Sequence, residues 1–378
     1  MAPSQVETVS LDQARGKSLH RFGIEKGILL KMGLVGLLLS ACQAKFLKIE
    51  NEGELAKIAE YDEKVKVKAL PLEAEIAKGI APPSDASTAP REIPTPDPTP
   101  EKDSKKKKPK PKPTPVPVPK KREPELEDST GFQGRRPMKD PFWIGEKVTL
   151  EISYFGAKAG DMTMEVRPFL EVNGRKSYHL VATLKSSSFF STFYSADDYG
   201  ETFLDYQDLI PFNFAVKVKE SAQLREVRSF FDWKLLKASF WEKKVTKKKG
   251  TEEKKLEWDI PTYSQNVFSA PFYLRTFQFV PGKEISFRVA DENRNMIVKA
   301  KILRKETVEV EAGKFNTVVI QPEIAMEGIF QPMGDVFFWL TDDDRKLFVK
   351  IEAKIRIGSL KGEAREIQYG LQPTTPGP

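Results

Sequence analysis

The sequence of 378 residues contains one cysteine and two histidines. A single thiol cannot form an intramolecular disulfide, so any folded domain must be held by its own core. His20 and His179 are too few for a histidine-based metal centre, and no spare cysteine completes a zinc site. Ser186-Ser187-Ser188 is not set in a Gly-x-Ser-x-Gly elbow, and no glycine-rich loop leads into Lys and Ser or Thr. No cofactor and no metal are expected, and no residue stands out as catalytic. Long apolar runs are missing as well. The stretch from Ile28 to Cys42 is about 15 residues and contains Lys31, whereas a membrane-spanning helix needs roughly 20.

That short run is nevertheless informative, because it ends in Leu39-Ser40-Ala41-Cys42 and holds the only cysteine. An apolar core, small residues and then cysteine resemble a bacterial lipoprotein signal. The resemblance implies cleavage before Cys42 and acylation of its thiol. Two chains on a diacylglycerol, with a third on the amine, hold a protein stably where one chain does not. Met1 to Gly23 has no apolar core, and Lys26 and Lys31 supply the positive segment, so the working start is expected near Leu29 to Met32. Gln43 stands where such lipoproteins carry Asp for inner-membrane retention. The resemblance thus implies the periplasmic face of the outer membrane, with display on the cell surface as the alternative.

Hydrophobic residues make up 39% and charged residues 30%, with 28 prolines and a net charge of +7. The prolines crowd one region, so the average mixes two kinds of chain. Five segments are expected. Residues 1–41 are leader, and 42–80 a tether with a short helix from Glu52 to Val65. Residues 81–139 are a disordered Pro/Lys-rich linker, 140–370 a β-rich domain and 371–378 a disordered tail. Alternate prolines in 93–100 and 108–119 favour extended polyproline II. About 40 such residues at ~3.1 Å each reach on the order of 100 Å. The linker is therefore expected to hold the domain away from a membrane. Its Lys105 to Lys108 run reads as a solvated spacer, or as a contact for an anionic envelope polymer. Nucleic acid is not an expected partner.

From Asp140 the pattern changes to period-2 alternation, as in Lys147 to Tyr154, Asp161 to Val166 and Tyr178 to Lys185. Asn173-Gly174 is a hairpin signal, and Lys247-Lys248-Lys249-Gly250 a loop tip. The next strand after Lys185 is expected at Phe212 to Lys219, and further ones to Gln368, among them Ile297 to Thr307 and Val308 to Glu311, with one short helix within 262–277. The fold class is all-β, mostly antiparallel: a curved sheet or a partly open barrel or sandwich with one short helix.

Several motifs occur in order. They are Gly145-Glu146-Lys147, Ser153-Tyr154-Phe155-Gly156, Ala159-Gly160, Ser269 to Arg275, Pro281-Gly282, Ala312 to Phe315, Gly328 to Phe330, Trp339 to Asp343 and Ile357 to Leu360. Together they resemble the bacterial domain of unknown function family DUF3108, over about Asp140 to Tyr369. The resemblance implies a β-rich exported or lipid-anchored envelope domain and carries over no catalytic residue. Arg275 is expected in a buried ion pair or cap, and His179 at the surface or in packing. Asp197-Asp198 and Asp342-Asp343-Asp344 are oxygen-rich, but their spacing does not match an EF-hand, and the second reads as a polar turn.

Aromatic residues crowd two segments. Phe189, Phe190, Phe193 and Tyr194 lie in one, and Phe272 and Tyr273 in the other. They are either core or the lining of an apolar ligand pocket, with Ser187 to Tyr194 as a flap. The leading functional expectation is a lipid-anchored protein whose β-domain binds a hydrophobic envelope molecule or a partner protein. The alternatives are an interaction module without small ligand and an envelope glycan or lipid hydrolase. A filled core with an exposed apolar patch favours the module.

Overall fold

The computed structural model describes residues 58–70, 137, 139–326, 329–331, 336–354 and 359–371. The leader, Cys42, His20 and most of the Pro/Lys-rich linker and tail lie outside these residues. Sixteen strands and two short helices follow in chain order: α1 (Ala59–Lys64), β1 (Val67–Ala69), β2 (Ile144–Tyr154), β3 (Ala157–Val172), β4 (Arg175–Ser186), β5 (Asp197–Asp205), β6 (Asn213–Lys219), β7 (Gln223–Asp232), β8 (Lys237–Thr246), β9 (Gly250–Asp259), α2 (Ser269–Leu274), β10 (Glu284–Asp291), β11 (Arg294–Val310), β12 (Gly313–Met326), β13 (Ile329–Gln331), β14 (Val336–Thr341), β15 (Phe348–Lys354) and β16 (Ser359–Leu371). They form one open antiparallel sheet in the order β10-β11-β12-β14-β15-β16-β2-β3-β4-β5-β6-β7-β8-β9, with β1 beside β3 and β13 beside β12.

Alternation decides which side chains go inside. On β4, Tyr178 and Leu180 enter the main core while His179 faces outward. The β3–β4 turn is Asn173-Gly174, with φ of 51° and 82°, the two positive values a two-residue I′ hairpin requires. One strand absent from the sequence expectation is β5, where Asp197-Asp198 and Gly200 mask the pattern. Gly200 is needed because a Cβ there would lie 1.9 Å from the Phe268 ring. A second difference is that Ile297 to Glu311, expected as two strands, is covered by the single strand β11 as far as Val310. A register shift between Ile302 and Arg304 lets it continue.

The sheet's two edge strands, β9 and β10, are bridged by the chain between them. Gln265 donates its backbone N–H to Arg288 O and accepts one from Ala290, covering the free edge of β10. Asn295 Nδ2 donates to Asp259 O at 2.9 Å, tying the start of β11 to the end of β9. Inside, Phe272, Tyr273, Leu274 and Phe277 of the α2 segment join Phe142, Tyr178, Phe287 and Phe348 in the largest core cluster. Buried aromatic rings of this size supply much of a domain's apolar burial.

Residues 58–70, expected within the tether, are docked on the domain. The helix is shorter than the sequence pattern indicated, Ala59–Lys64 among the described residues. Tyr61 and Val65 pack with Phe203, Phe212 and Trp241 on the outer face of the sheet. Asn213 Nδ2 donates to Tyr61 Oη at 2.6 Å, and Lys255 pairs with Glu60 at 2.6 Å. β1 then pairs with Leu170 to Val172 of β3, and the Asn173 side chain binds Lys64 O and Lys66 N, each at 2.9 Å. In chain order the docked segment precedes the Pro/Lys-rich stretch, so residues 43–57 are what lies between Cys42 and the first described contact with the domain.

Candidate functional site

Consecutive antiparallel hairpins place their turns at alternate ends of the strands. The β2–β3, β4–β5, β6–β7 and β8–β9 turns share one end. The chain entry at β2, the β3–β4 turn and the β14–β15 turn share the other. The register from β2 through β16, β15, β14, β12 and β11 brings the β10–β11 turn to the first end.

The second end is sealed. Arg275, which follows α2, is 2% exposed. Its guanidinium donates to both oxygens of Glu146, at 2.7 and 2.9 Å, to Pro141 O at 2.8 Å and to Arg345 O at 3.0 Å. Arg345 adds a bond to Glu146 Oε2 at 2.5 Å and one to Tyr369 O at 2.7 Å, and lies 3.8 Å from the Trp143 ring centroid. A bidentate pair suits arginine's planar fork, and the network joins α2, β2, β16 and the β14–β15 turn. Arg275 is thus a buried ion pair, one of the two roles expected for it.

The first end carries an aromatic rim. Phe155 in the β2–β3 turn, Phe189 and Phe193 in the β4–β5 loop are 69%, 66% and 70% exposed. Phe189 and Phe193 meet edge to face at 5.7 Å, and Phe155 meets Tyr154 at 4.5 Å. The two turns are stitched together: Ser187 N donates to Ala159 O at 2.8 Å and Ser187 Oγ to Lys158 O at 3.0 Å. Ser191 Oγ donates back to Ser187 O at 2.7 Å, and Tyr194 Oη to Glu220 at 2.7 Å. The serines of the segment expected as a flap pin the loop, while Phe189 and Phe193 point outward. Burial and the neighbouring Glu220 push the Asp198 carboxyl up to about 7, although it accepts the Lys219 N–H. Asp291 at the end of β10 is likewise pushed up to about 7 by burial and by Glu292. On the same rim the β8–β9 tip exposes Lys247, Lys248 and Lys249.

The six aromatic candidates are divided between these two ends. Phe272 and Tyr273 are buried core at the sealed end, Phe189 and Phe193 are exposed at the rim, and Phe190 and Tyr194 are half-buried beside them. Tyr178, whose ring contacts Phe142, is eight residues of β4 from Ser186, about 26 Å at ~3.3 Å per residue. The six do not come together as one pocket lining, which corrects that expectation. Phe155 was the residue missed: an aromatic beside Gly156 at a turn tip was its signal.

His179 lies on the outer face, its Nε2 2.9 Å from Glu201 Oε2 and its ring 5.1 Å from Phe203. Asp343 Oδ1 accepts from Thr341 Oγ1, Arg345 N and Lys346 N, as a polar turn does. Among the described residues no helix is long and apolar enough to cross a membrane.

No curated protein matches the sequence. Among solved structures, a β-barrel-like protein of the DUF1849 domain family from Brucella abortus aligns at 12% identity and TM-score 0.39, over 60% of this chain and 98% of its own. A candidate exported protein with a YmcC-like fold from Bacteroides fragilis aligns at 11% identity and TM-score 0.27, over 61% and 98%. A candidate lipoprotein from Parabacteroides distasonis aligns at 9% identity and TM-score 0.26, over 62% and 100%. The profile of the proteins of unknown function DUF3108 matches residues 149–365, more than half of the chain, and the chain belongs to that family.

Proposed function

We propose that this is a lipid-anchored envelope protein, acylated at Cys42, whose β-domain works as an interaction module through its aromatic rim. Leu39-Ser40-Ala41-Cys42 after a short apolar run carries the anchor. The observation that favours a surface module over an enclosed ligand is the division of the aromatic residues. Phe272 and Tyr273 fill the core, while Phe155, Phe189 and Phe193 are left to solvent. Full burial of one phenylalanine contributes about 1.5–3 kcal/mol, so three exposed on adjoining turns mark an apolar contact. Gln43, where such lipoproteins carry Asp for inner-membrane retention, supports the periplasmic face of the outer membrane.

The test is the mass of the N-terminal peptide from protein purified from its own host. The expected peptide begins at Cys42 and carries diacylglycerol; a mature chain starting elsewhere overturns the reading. Gln43→Asp is expected to move the protein to the inner-membrane fraction, and an unchanged distribution removes the outer-membrane assignment.

A further inference from the structure

The docked segment at residues 58–70 fixes how far the domain can stand from Cys42. Between Cys42 and Ile58 lie residues 43–57, which span at most about 55 Å when fully extended. Glu60, paired with Lys255, sits five residues along β9 from Gly250 at the rim, about 17 Å. The rim is therefore within reach of the membrane that would hold the anchor.

Both ends carry charge of both signs, and the rim has one run of exposed lysines. The rim presents Lys247, Lys248 and Lys249 at one hairpin tip, where only Lys249 is paired, to Glu252 at 3.3 Å, among the ion pairs of that tip. The sealed end presents the exposed Asp342-Asp343-Asp344 turn, with Lys305 on Asp342. Exposed apolar residues occur at the sealed end too, but Leu235 and Leu236 lie on the β7–β8 turn and Tyr369 and Leu371 on β16, six places apart in the strand order. At the rim the three phenylalanines belong to adjoining, hydrogen-bonded turns.

We propose that the rim formed by Phe155, Phe189, Phe193 and the Lys247 to Lys249 tip docks on the anionic phospholipid surface that carries the Cys42 anchor. This rests on the anchored reading above. Aromatic side chains seat at the boundary of headgroups and acyl chains, and lysines at the same end of the sheet, four strands further along, are drawn to anionic lipid. The acyl anchor keeps the rim at high local concentration, so the contact needs little affinity of its own.

The test uses the full chain with Cys42→Ser, which cannot be acylated, floated with vesicles of phosphatidylethanolamine and phosphatidylglycerol. Flotation is expected. Adding Phe155→Ser, Phe189→Ser and Phe193→Ser should weaken it about tenfold or more, with the thermal unfolding transition retained as a check on folding. Lys247→Glu, Lys248→Glu and Lys249→Glu together should weaken it on these vesicles and leave the weaker binding to phosphatidylcholine vesicles unchanged. No flotation, or flotation indifferent to the three phenylalanines, overturns the proposal. So does a rim that crosslinks to a protein without binding lipid. A Cys42 that is not acylated, with flotation intact, removes the anchor and leaves the rim; acylation without flotation does the reverse.

Discussion

Glu146 at the sealed end and Asp291 at the aromatic rim are both buried, and their surroundings differ. Glu146 receives bonds from Arg275 and Arg345, so its charge is met where it lies. Asp291 Oδ1 is buried and accepts no hydrogen bond. The nearby Glu292 is held by Arg225 at 2.7 Å, and burial leaves Asp291 favouring its proton. One end is therefore fastened by matched charge, and the other holds a buried carboxyl oxygen that accepts no hydrogen bond. The sealed end is built for stability, and the rim is where the proposed contact would be made.

The largest effect is expected where charge is matched. Arg275→Ala leaves Glu146 with Arg345 alone and frees two backbone carbonyls, at a cost of about 3–5 kcal/mol in urea unfolding. A loss near the ~1 kcal/mol of a surface pair would show that the end is not sealed by this network. Next comes the docked segment, which belongs to neither end. Tyr61→Phe removes the acceptor of Asn213 Nδ2 and should cost about 1–3 kcal/mol. If residues 58–70 were detached in solution, the substitution would leave the unfolding midpoint unchanged.

The buried carboxyl of Asp291 gives a pH signature of the opposite sign to a salt bridge. Asp291 has an ordinary value of 3.8 and is pushed up to about 7 in the fold. Between those values the folded chain keeps a proton that the unfolded chain has released. Stability from this site is therefore whole below about pH 4 and falls as the pH rises towards about 7. The slope of one group is at most about 1.4 kcal/mol per pH unit. Asp291→Asn should flatten this part of the profile in urea unfolding between pH 5 and 8, and Asp198→Asn should do so to a similar degree. A wild-type profile that rises over this range would show that both carboxyls find partners as they ionise.

The period-2 strands and the Asn173-Gly174 turn were legible because local sequence decides them. Arg275 was legible as a pair but not its partner, since Glu146 lies 129 residues earlier in the chain. Nothing local marks residues 58–70 as docked: Tyr61 meets Asn213 only after the sheet has formed. The aromatic crowding was visible but not its division, because composition does not say which end of a strand a ring occupies. β5 was hidden by Gly200, whose missing side chain is what makes room for Phe268.

The smallest effect on folding is expected at the rim. Phe155, Phe189 and Phe193 touch little beyond each other and Tyr154, so each changed to Ser should stay within about 0.5 kcal/mol of wild type. Residues that stabilise a domain are rarely so exposed, and exposing three rings costs solubility. If the rim were simply unburied core, serine there would leave stability, solubility and vesicle binding all nearly unchanged. The comparison of the two ends instead requires a split. Stability should hold, solubility of the unacylated chain should rise, and vesicle binding should fall. A triple variant that loses more than about 2 kcal/mol would place the rim with the sealed end, as part of what holds the sheet.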